Sequence, residues 1–272
     1  MDTSSDHYCP LPQPPLPTPA PIQTKFKLEA VVVCANYDDF LRETLPHNKQ
    51  MFDKMVVVTS PEDKRTQKVC EFNHVECVVT DKLETRWGKF CKGIAINEGL
   101  NRLDKDAWTL HLDADIWLPP ETRNLLQLID LDIESIYGID RFIVQSFEEW
   151  RDFLENPKLQ LENKGWVHIN AFKLGTRVLD KDRYIPIGFF QMWNPKGSGR
   201  FKYPEGHTDA GREDGLFAKQ WPRSKRQLLA EIVGYHLESE QAIMGANWSG
   251  RTTKQFSFNS KGKELSSSRY LG

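Results

Sequence analysis

The run AWTLHLDADIWLPP, residues 107–120, constrains this chain more than any other segment. It reads as a buried strand that ends in two carboxylates one residue apart, Asp113 and Asp115. Apolar residues flank the acids on both sides, so solvation does not account for them. A buried, unpaired carboxylate is costly unless a cation or a hydrogen-bond network compensates it. A divalent metal with oxygen ligands is the simplest such cation.

The residues before this run alternate in character. Leu28 to Ala35 is an apolar, Val-rich strand suited to burial on both faces. Phe40 to Leu45 is helical, Lys54 to Thr59 a second strand, Glu62 to Phe72 a helix, Val75 to Thr80 a third strand and Gly88 to Leu103 a helix. This order predicts an α/β chain with an open, mainly parallel sheet covered by helices. Ligands of such sheets sit at the carboxyl ends of strands. Asn36 and Tyr37 follow the first strand, Thr59 ends the second, and the two acids end the fourth. Beyond Glu121 the alternation weakens. Strands are expected at Ser135 to Val144 and Glu231 to Leu237, strands or ordered loops rich in aromatics at Lys164 to Leu174 and Tyr184 to Trp193, and helices at Ser146 to Glu155 and Gly211 to Trp221.

A Pro-rich tail occupies residues 1–24, where seven prolines between Pro10 and Pro21 oppose helix and sheet. One domain is expected over 25–252, in two halves, 25–120 and 121–252. A basic tail, 253–272, follows. No apolar run approaches the length of a membrane span, and no signal-peptide pattern is present, so a cytoplasmic protein is expected. The five cysteines, Cys9, Cys34, Cys70, Cys77 and Cys91, form no CxxC pair, and free or buried thiols follow. From Phe190 onward there are 13 Lys/Arg against 8 Asp/Glu, leaving 23 against 30 before it. That surplus, which includes Lys196, Arg200, Lys202, Arg223, Lys225, Arg226, Lys261 and Lys263, is either a solvated surface or a face for a polyanion such as DNA. A dehydrogenase is excluded by the absence of GxGxxG. A nucleotidyltransferase would need a glycine-rich loop after the first strand, where Cys34 to Asp39 has no glycine.

The strand-end Asp-x-Asp, in its place after the fourth strand, resembles that of the GT-A fold glycosyltransferases, especially the family 2 type. Four further segments carry the resemblance: Asn36-Tyr37-Asp38, the helix Lys92 to Leu100 with its Asn97-Glu98-Gly99-Leu100 element, Gly211-Arg212-Glu213-Asp214, and Tyr235-His236-Leu237. It covers about residues 27–251. It implies a GT-A sheet and a metal-dependent, inverting transfer of a sugar from a nucleotide-sugar donor, a UDP-sugar, to an acceptor hydroxyl. Mn²⁺ or Mg²⁺ would be held by Asp115 directly, by Asp113 directly or through ribose and water, and by His236, which could equally be a core histidine. Asp214 would be the general base, with Glu213 as competitor; both could instead favour a helix start. Asn36, Tyr37, Thr59, Asp63, Lys92, Asn97, Asp113 and Arg251 would meet the donor, although turn chemistry and surface placement are open for Asn36, Asp63 and Lys92. Gln191, Trp193 and Trp248 would meet the acceptor.

The acceptor divides the expectation. The compact form also resembles GT-A transferases linked with phage and kinetoplastid DNA hypermodification, which implies hydroxymethylated pyrimidine in DNA. A polysaccharide, lipid-linked or protein glycan is the alternative. A non-catalytic nucleotide-sugar or nucleic-acid binding module would keep the fold without a base.

Overall fold

The structure is a computed structural model and describes residues 26–83, 90–144, 146–156, 172–181, 183–205 and 210–237. The fold class expected from the sequence, an open, mainly parallel α/β sheet flanked by helices, is the one observed. Strands β1 (Leu28–Val33), β2 (Lys54–Thr59), β3 (Glu76–Val79) and β4 (Trp108–Asp113) form its parallel half in the order β3-β2-β1-β4. Helices α1 (Asp38–Asn48), α2 (Lys64–Phe72) and α3 (Lys92–Leu100) connect them. All six residues of β1 are buried, as the continuous apolar run demands of a strand covered on both faces.

After β4 come the short β5 (Ile116–Trp117), α4 (Thr122–Leu128), β6 (Ile136–Val144) and α5 (Phe147–Glu155). Then follow β7 (Lys173–Leu174), β8 (Leu179–Asp180), β9 (Arg183–Tyr184) and β10 (Phe190–Trp193). A single helical turn α6 (Pro195–Ser198), helix α7 (Ala210–Ala218) and the long β11 (Arg226–Leu237) complete the described chain. The sheet continues β4-β10-β6-β11-β5. Strand β10 runs antiparallel to both β4 and β6, whereas β11 is parallel to β6 and antiparallel to β5. Strands β8 and β9 pair separately.

Several element boundaries have local causes. Ser146 accepts from Glu149 N at 3.2 Å, and a Ser followed three residues later by Glu is a helix-start signature. Asp63 caps α2 through Thr66 N at 3.1 Å. The strand or ordered loop expected over Tyr184 to Trp193 is two strands, β9 and β10, separated by a turn containing Pro186 and Gly188. Of the strand or ordered loop expected over Lys164 to Leu174, only the strand Lys173–Leu174 is among the described residues. Residues 88–89 of the helix expected from Gly88 also lie outside them, and the helix begins at Lys92.

One face of α1 holds the acidic turn. Thr44, His47 and Asn48 are three to four residues apart and so share that face. Thr44 Oγ1 donates to Ala114 O at 2.7 Å, and Asn48 bonds Ile116 O at 2.7 Å and Leu118 N at 3.0 Å. His47 Nε2 meets Leu118 O at 2.8 Å. The backbone between Asp113 and Leu118 is thereby fixed by a rigid element. No helix among the described residues is long and apolar enough to cross a membrane.

Candidate functional site

The acidic pair sits where β4 ends, beside the start of β10. Asp113 is the last residue of β4, and its backbone N–H donates to Phe189 O at 3.2 Å. Asp115 lies in the turn to β5, and its carbonyl accepts from Leu237 N at 2.8 Å. Pairing of β5 with β11 sets His236 opposite Ile116. That register brings His236 Nε2 to 3.3 Å from Asp115 Oδ2. The other oxygen, Asp115 Oδ1, is buried without a hydrogen-bond partner among the described residues. Burial pushes the Asp115 carboxyl up, but His236 and Lys92 outweigh it and leave the group below the usual carboxylate range.

Asp113 has a different partner. Lys92, the first residue of α3, is buried, and its ammonium donates to Asp113 Oδ1. Burial opposes the charged lysine, but Asp113, Asp214 and Asp115 together hold its pKa above the ordinary value. Burial raises the Asp113 carboxyl despite Lys92, and Asp115 adds to the rise. Among the described residues no three His, Cys, Asp or Glu side chains converge on one metal position. The donors therefore fall into two groups, Asp115 with His236 and Asp113 with Lys92. A metal held by one carboxylate, one imidazole and phosphate oxygens fits the first group, because Mg²⁺-like ions are commonly bound by one or two carboxylates plus substrate phosphates. The orphaned Asp115 Oδ1 is the observation that makes the fit.

Asp214, on α7, is held at the same end of the sheet. Its Oδ2 accepts from Gly188 N and its Oδ1 from Gly215 N, each at 2.6 Å. Burial raises its carboxyl above the usual range, with Lys92 and these backbone donors opposing. A Cβ on residue 188 would stand 2.7 Å from Asp214 Oδ2, so only glycine admits this approach.

Several expected site residues have other tasks. Glu213 is fully buried and turned away from Asp214; its carboxylate accepts from Gly93 N and Cys91 Sγ at the start of α3. It braces the helix that carries Lys92, where an acid at a helix N-terminus is favourable, and so is not the competing base. Thr59 and Asp63 are buried bracing residues rather than donor contacts. Asp63 Oδ2 accepts from Asn36 N at 2.8 Å, Thr66 Oγ1 at 2.7 Å and Thr59 Oγ1 at 3.2 Å. Asn97 bonds the backbone N and O of Tyr203 at 2.8 and 3.1 Å and Glu205 at 2.8 Å, which leaves it facing the protein. Trp193 is wholly enclosed by Tyr203 and Phe217, and its indole N–H donates to Arg200 O at 2.9 Å. Gln191 is likewise buried, with its amide on Pro186 O and Asp214 O. Neither has surface left for an acceptor. The alternation of β10 alone could not reveal this, because both faces of the strand are covered.

Asn36 and Tyr37 do lie at the open end of β1. Asn36 is exposed and adopts φ 58°, a left-handed conformation that Asn tolerates. Tyr37 stacks on Phe40 at 5.3 Å. Trp248 and Arg251 lie outside the described residues, as do Cys9, Lys261, Lys263 and both expected tails. Cys34, Cys70, Cys77 and Cys91 are free. Five described basic residues of the last third are compensated locally by acids. Lys196 pairs with Asp106, Lys202 with Glu205, Lys225 with Asp132 and Glu134, and Arg223 and Arg226 with Asp180. Arg200 covers the Trp221 ring and donates to Ser198 O and Gln220 O.

No protein-family model matches the chain, and no curated protein matches it. Similar solved structures include one described only as a mycobacterial protein, at 14% identity and a TM-score of 0.47, covering 78% of this chain and 67% of that one. Glucosyl-3-phosphoglycerate synthase from Mycobacterium tuberculosis, in complex with Mn²⁺, uridine diphosphate and glucosyl-3-phosphoglycerate, is similar at 13% identity and a TM-score of 0.44, covering 78% and 72%. Mannosyl-3-phosphoglycerate synthase from Rubrobacter xylanophilus is similar at 18% identity and a TM-score of 0.34, covering 54% of this chain and half of that one.

Proposed function

We propose that this chain is a metal-dependent, inverting glycosyltransferase that moves a sugar from a nucleoside-diphosphate donor, a UDP-sugar, to an acceptor hydroxyl. One observation carries the reading. Asp115 presents a buried carboxylate oxygen, without a hydrogen-bond partner among the described residues, beside His236 at the end of β4 and within the electrostatic reach of Lys92. Asp115 and His236 would hold Mn²⁺ or Mg²⁺, which supplies Lewis-acid neutralisation of the departing diphosphate. Imidazole tilts the pair toward Mn²⁺.

The chain's own residues would do the rest. Lys92 would give its ammonium to a diphosphate oxygen, exchanging one anionic partner for another at little cost. Asp113 would meet the ribose or a metal-bound water. Asn36 and Tyr37 would line the place of the base at the open end of β1. Asp214 would take the acceptor's hydroxyl proton as the oxygen attacks the anomeric carbon from the face opposite the diphosphate. Its raised pKa suits a base that must also hold a proton, and Gly188 fixes the carboxylate that does so.

For the acceptor, the local pairing of the described basic residues favours a small hydroxylated molecule over a polymer. The DNA reading rests on Arg251 and on the tail residues Lys261 and Lys263. The test is a donor-hydrolysis screen across nucleotide sugars with Mn²⁺ and Mg²⁺, followed by acceptor assays with phosphorylated hydroxy acids and with hydroxymethylated duplex DNA. Metal-dependent hydrolysis of a UDP-sugar is the expected result. Absence of turnover with every donor would favour a binding module. Duplex binding that weakens steeply with salt would favour the DNA acceptor.

A further inference from the structure

A buried chain of hydrogen bonds runs from His111 on β4 to the backbone of α7, and its direction can be worked out from donors and acceptors alone. Gln191 Nε2 donates to two carbonyls, Pro186 O at 2.8 Å and Asp214 O at 2.9 Å. Carbonyls only accept, so both amide hydrogens are committed and the amide cannot be turned over. Its Oε1 therefore faces the Tyr203 hydroxyl, which must donate to it. A phenol has one hydrogen. His111 Nδ1 lies 3.1 Å from the same Tyr203 oxygen, so that contact requires the hydrogen to be on Nδ1. All three side chains are buried. Fixed this way, the ring leaves its other nitrogen, Nε2, 3.6 Å from Asp113 Oδ1, beyond hydrogen-bond reach and without a hydrogen-bond partner among the described residues.

We propose that Gln191, Tyr203 and His111 are positioning residues, a one-way hydrogen-bond chain that fixes β4, two residues before Asp113, against the backbone of Asp214 on α7. It rests on the transfer reaction above for its catalytic consequence, though not for its geometry. The chain begins at the backbone of the base itself, since Gln191 holds Asp214 O, and it ends beside the carboxylate that Lys92 holds. Partners of this kind orient the groups that touch substrate, and their loss commonly lowers activity about 10–100-fold.

The decisive measurement needs no substrate. In ¹⁵N-histidine-labelled protein, with His111→Asn used to assign the signal, two-bond ¹H–¹⁵N correlations report which ring nitrogen bears hydrogen. Hydrogen on Nδ1 is expected. A bare Nδ1 in the unmodified protein would overturn the proposal outright. Tyr203→Phe should abolish the Nδ1 preference, lower kcat about tenfold or more and change the donor KM less than twofold. An unchanged His111 pattern in that variant would also overturn it. Two substitutions of His111 separate positioning from packing. Asparagine places an N–H near the Nδ1 position and should retain more kcat than glutamine, which reaches the Nε2 position. The reverse order would show that His111 acts through Asp113 alone. If the unmodified protein turns over no nucleotide sugar, the transferase reading fails while the NMR result still decides the hydrogen-bond chain.

Discussion

Asp115 and Asp214 carry opposite electrostatic histories, and each yields an expectation. Asp115 lies below the usual carboxylate range because His236 and Lys92 outweigh its burial. Asp115→Asn should lower metal-dependent donor turnover by about 10²-fold or more. Mn²⁺ is expected to raise the melting temperature of the unmodified protein and not that of the variant, since a ligand of the folded state stabilises by mass action. Asp214 lies above the usual range because it is buried. The folded chain therefore takes up this proton at higher pH than the unfolded chain does. Stability gains as pH falls through that interval, whereas turnover, if Asp214 is the base proposed above, needs its ionised form and should decline over it. Asp214→Asn should abolish transfer and flatten the pH dependence of stability in the same interval, as seen by paired pH–rate profiles and melts. At this scale the Asp-x-Asp string was legible because apolar neighbours made the acids conspicuous. His111 carried a similar signal, a polar residue midway along a buried strand. The enclosure of Trp193 had none, because aromatic residues serve cores and sugar platforms equally well. Trp193→Ala should cost about 3–5 kcal/mol in urea denaturation; a small cost with a raised acceptor KM would return it to the acceptor site.

Elements fix what single residues cannot. The three-residue face of α1, Thr44, His47 and Asn48, holds the backbone around Asp115, and the turn before β10 holds Asp214 through Gly188. Gly188→Ala would press a methyl against the Asp214 carboxylate. Because the carboxylate can swing aside, the expected outcome is a fold of nearly unchanged melting temperature with kcat reduced tenfold or more, about the penalty of a small misplacement. A loss of stability without loss of kcat would refute the base assignment. The strands β1 to β4 were readable from their Val-rich runs and the helices between them. The braces were not, since the contacts of Glu213 with Gly93 and Asn97 with Tyr203 join residues more than a hundred positions apart. Single-sequence patterns report period and propensity, and they contain no term for such pairs.

Across the whole molecule the two expected halves interleave. Strand β10 inserts between β4 and β6, and β11 reaches β5 on the far side. Residues 25–120 alone would leave β4 without its neighbour, an unpaired strand edge at the site itself. Chemical unfolding should therefore be one transition, with tryptophan fluorescence and far-ultraviolet dichroism coincident; separated transitions would argue for independent halves. The register of β5 against β11 has a further consequence during synthesis. Asp115 leaves the ribosome more than a hundred residues before His236, and until β11 docks, the acidic turn lacks its imidazole. On the proposed reading, a nascent or prematurely ended chain could recognise parts of a donor yet could not squander it by hydrolysis. On that reading the late strand brings the imidazole to the acidic turn only when the sheet is complete.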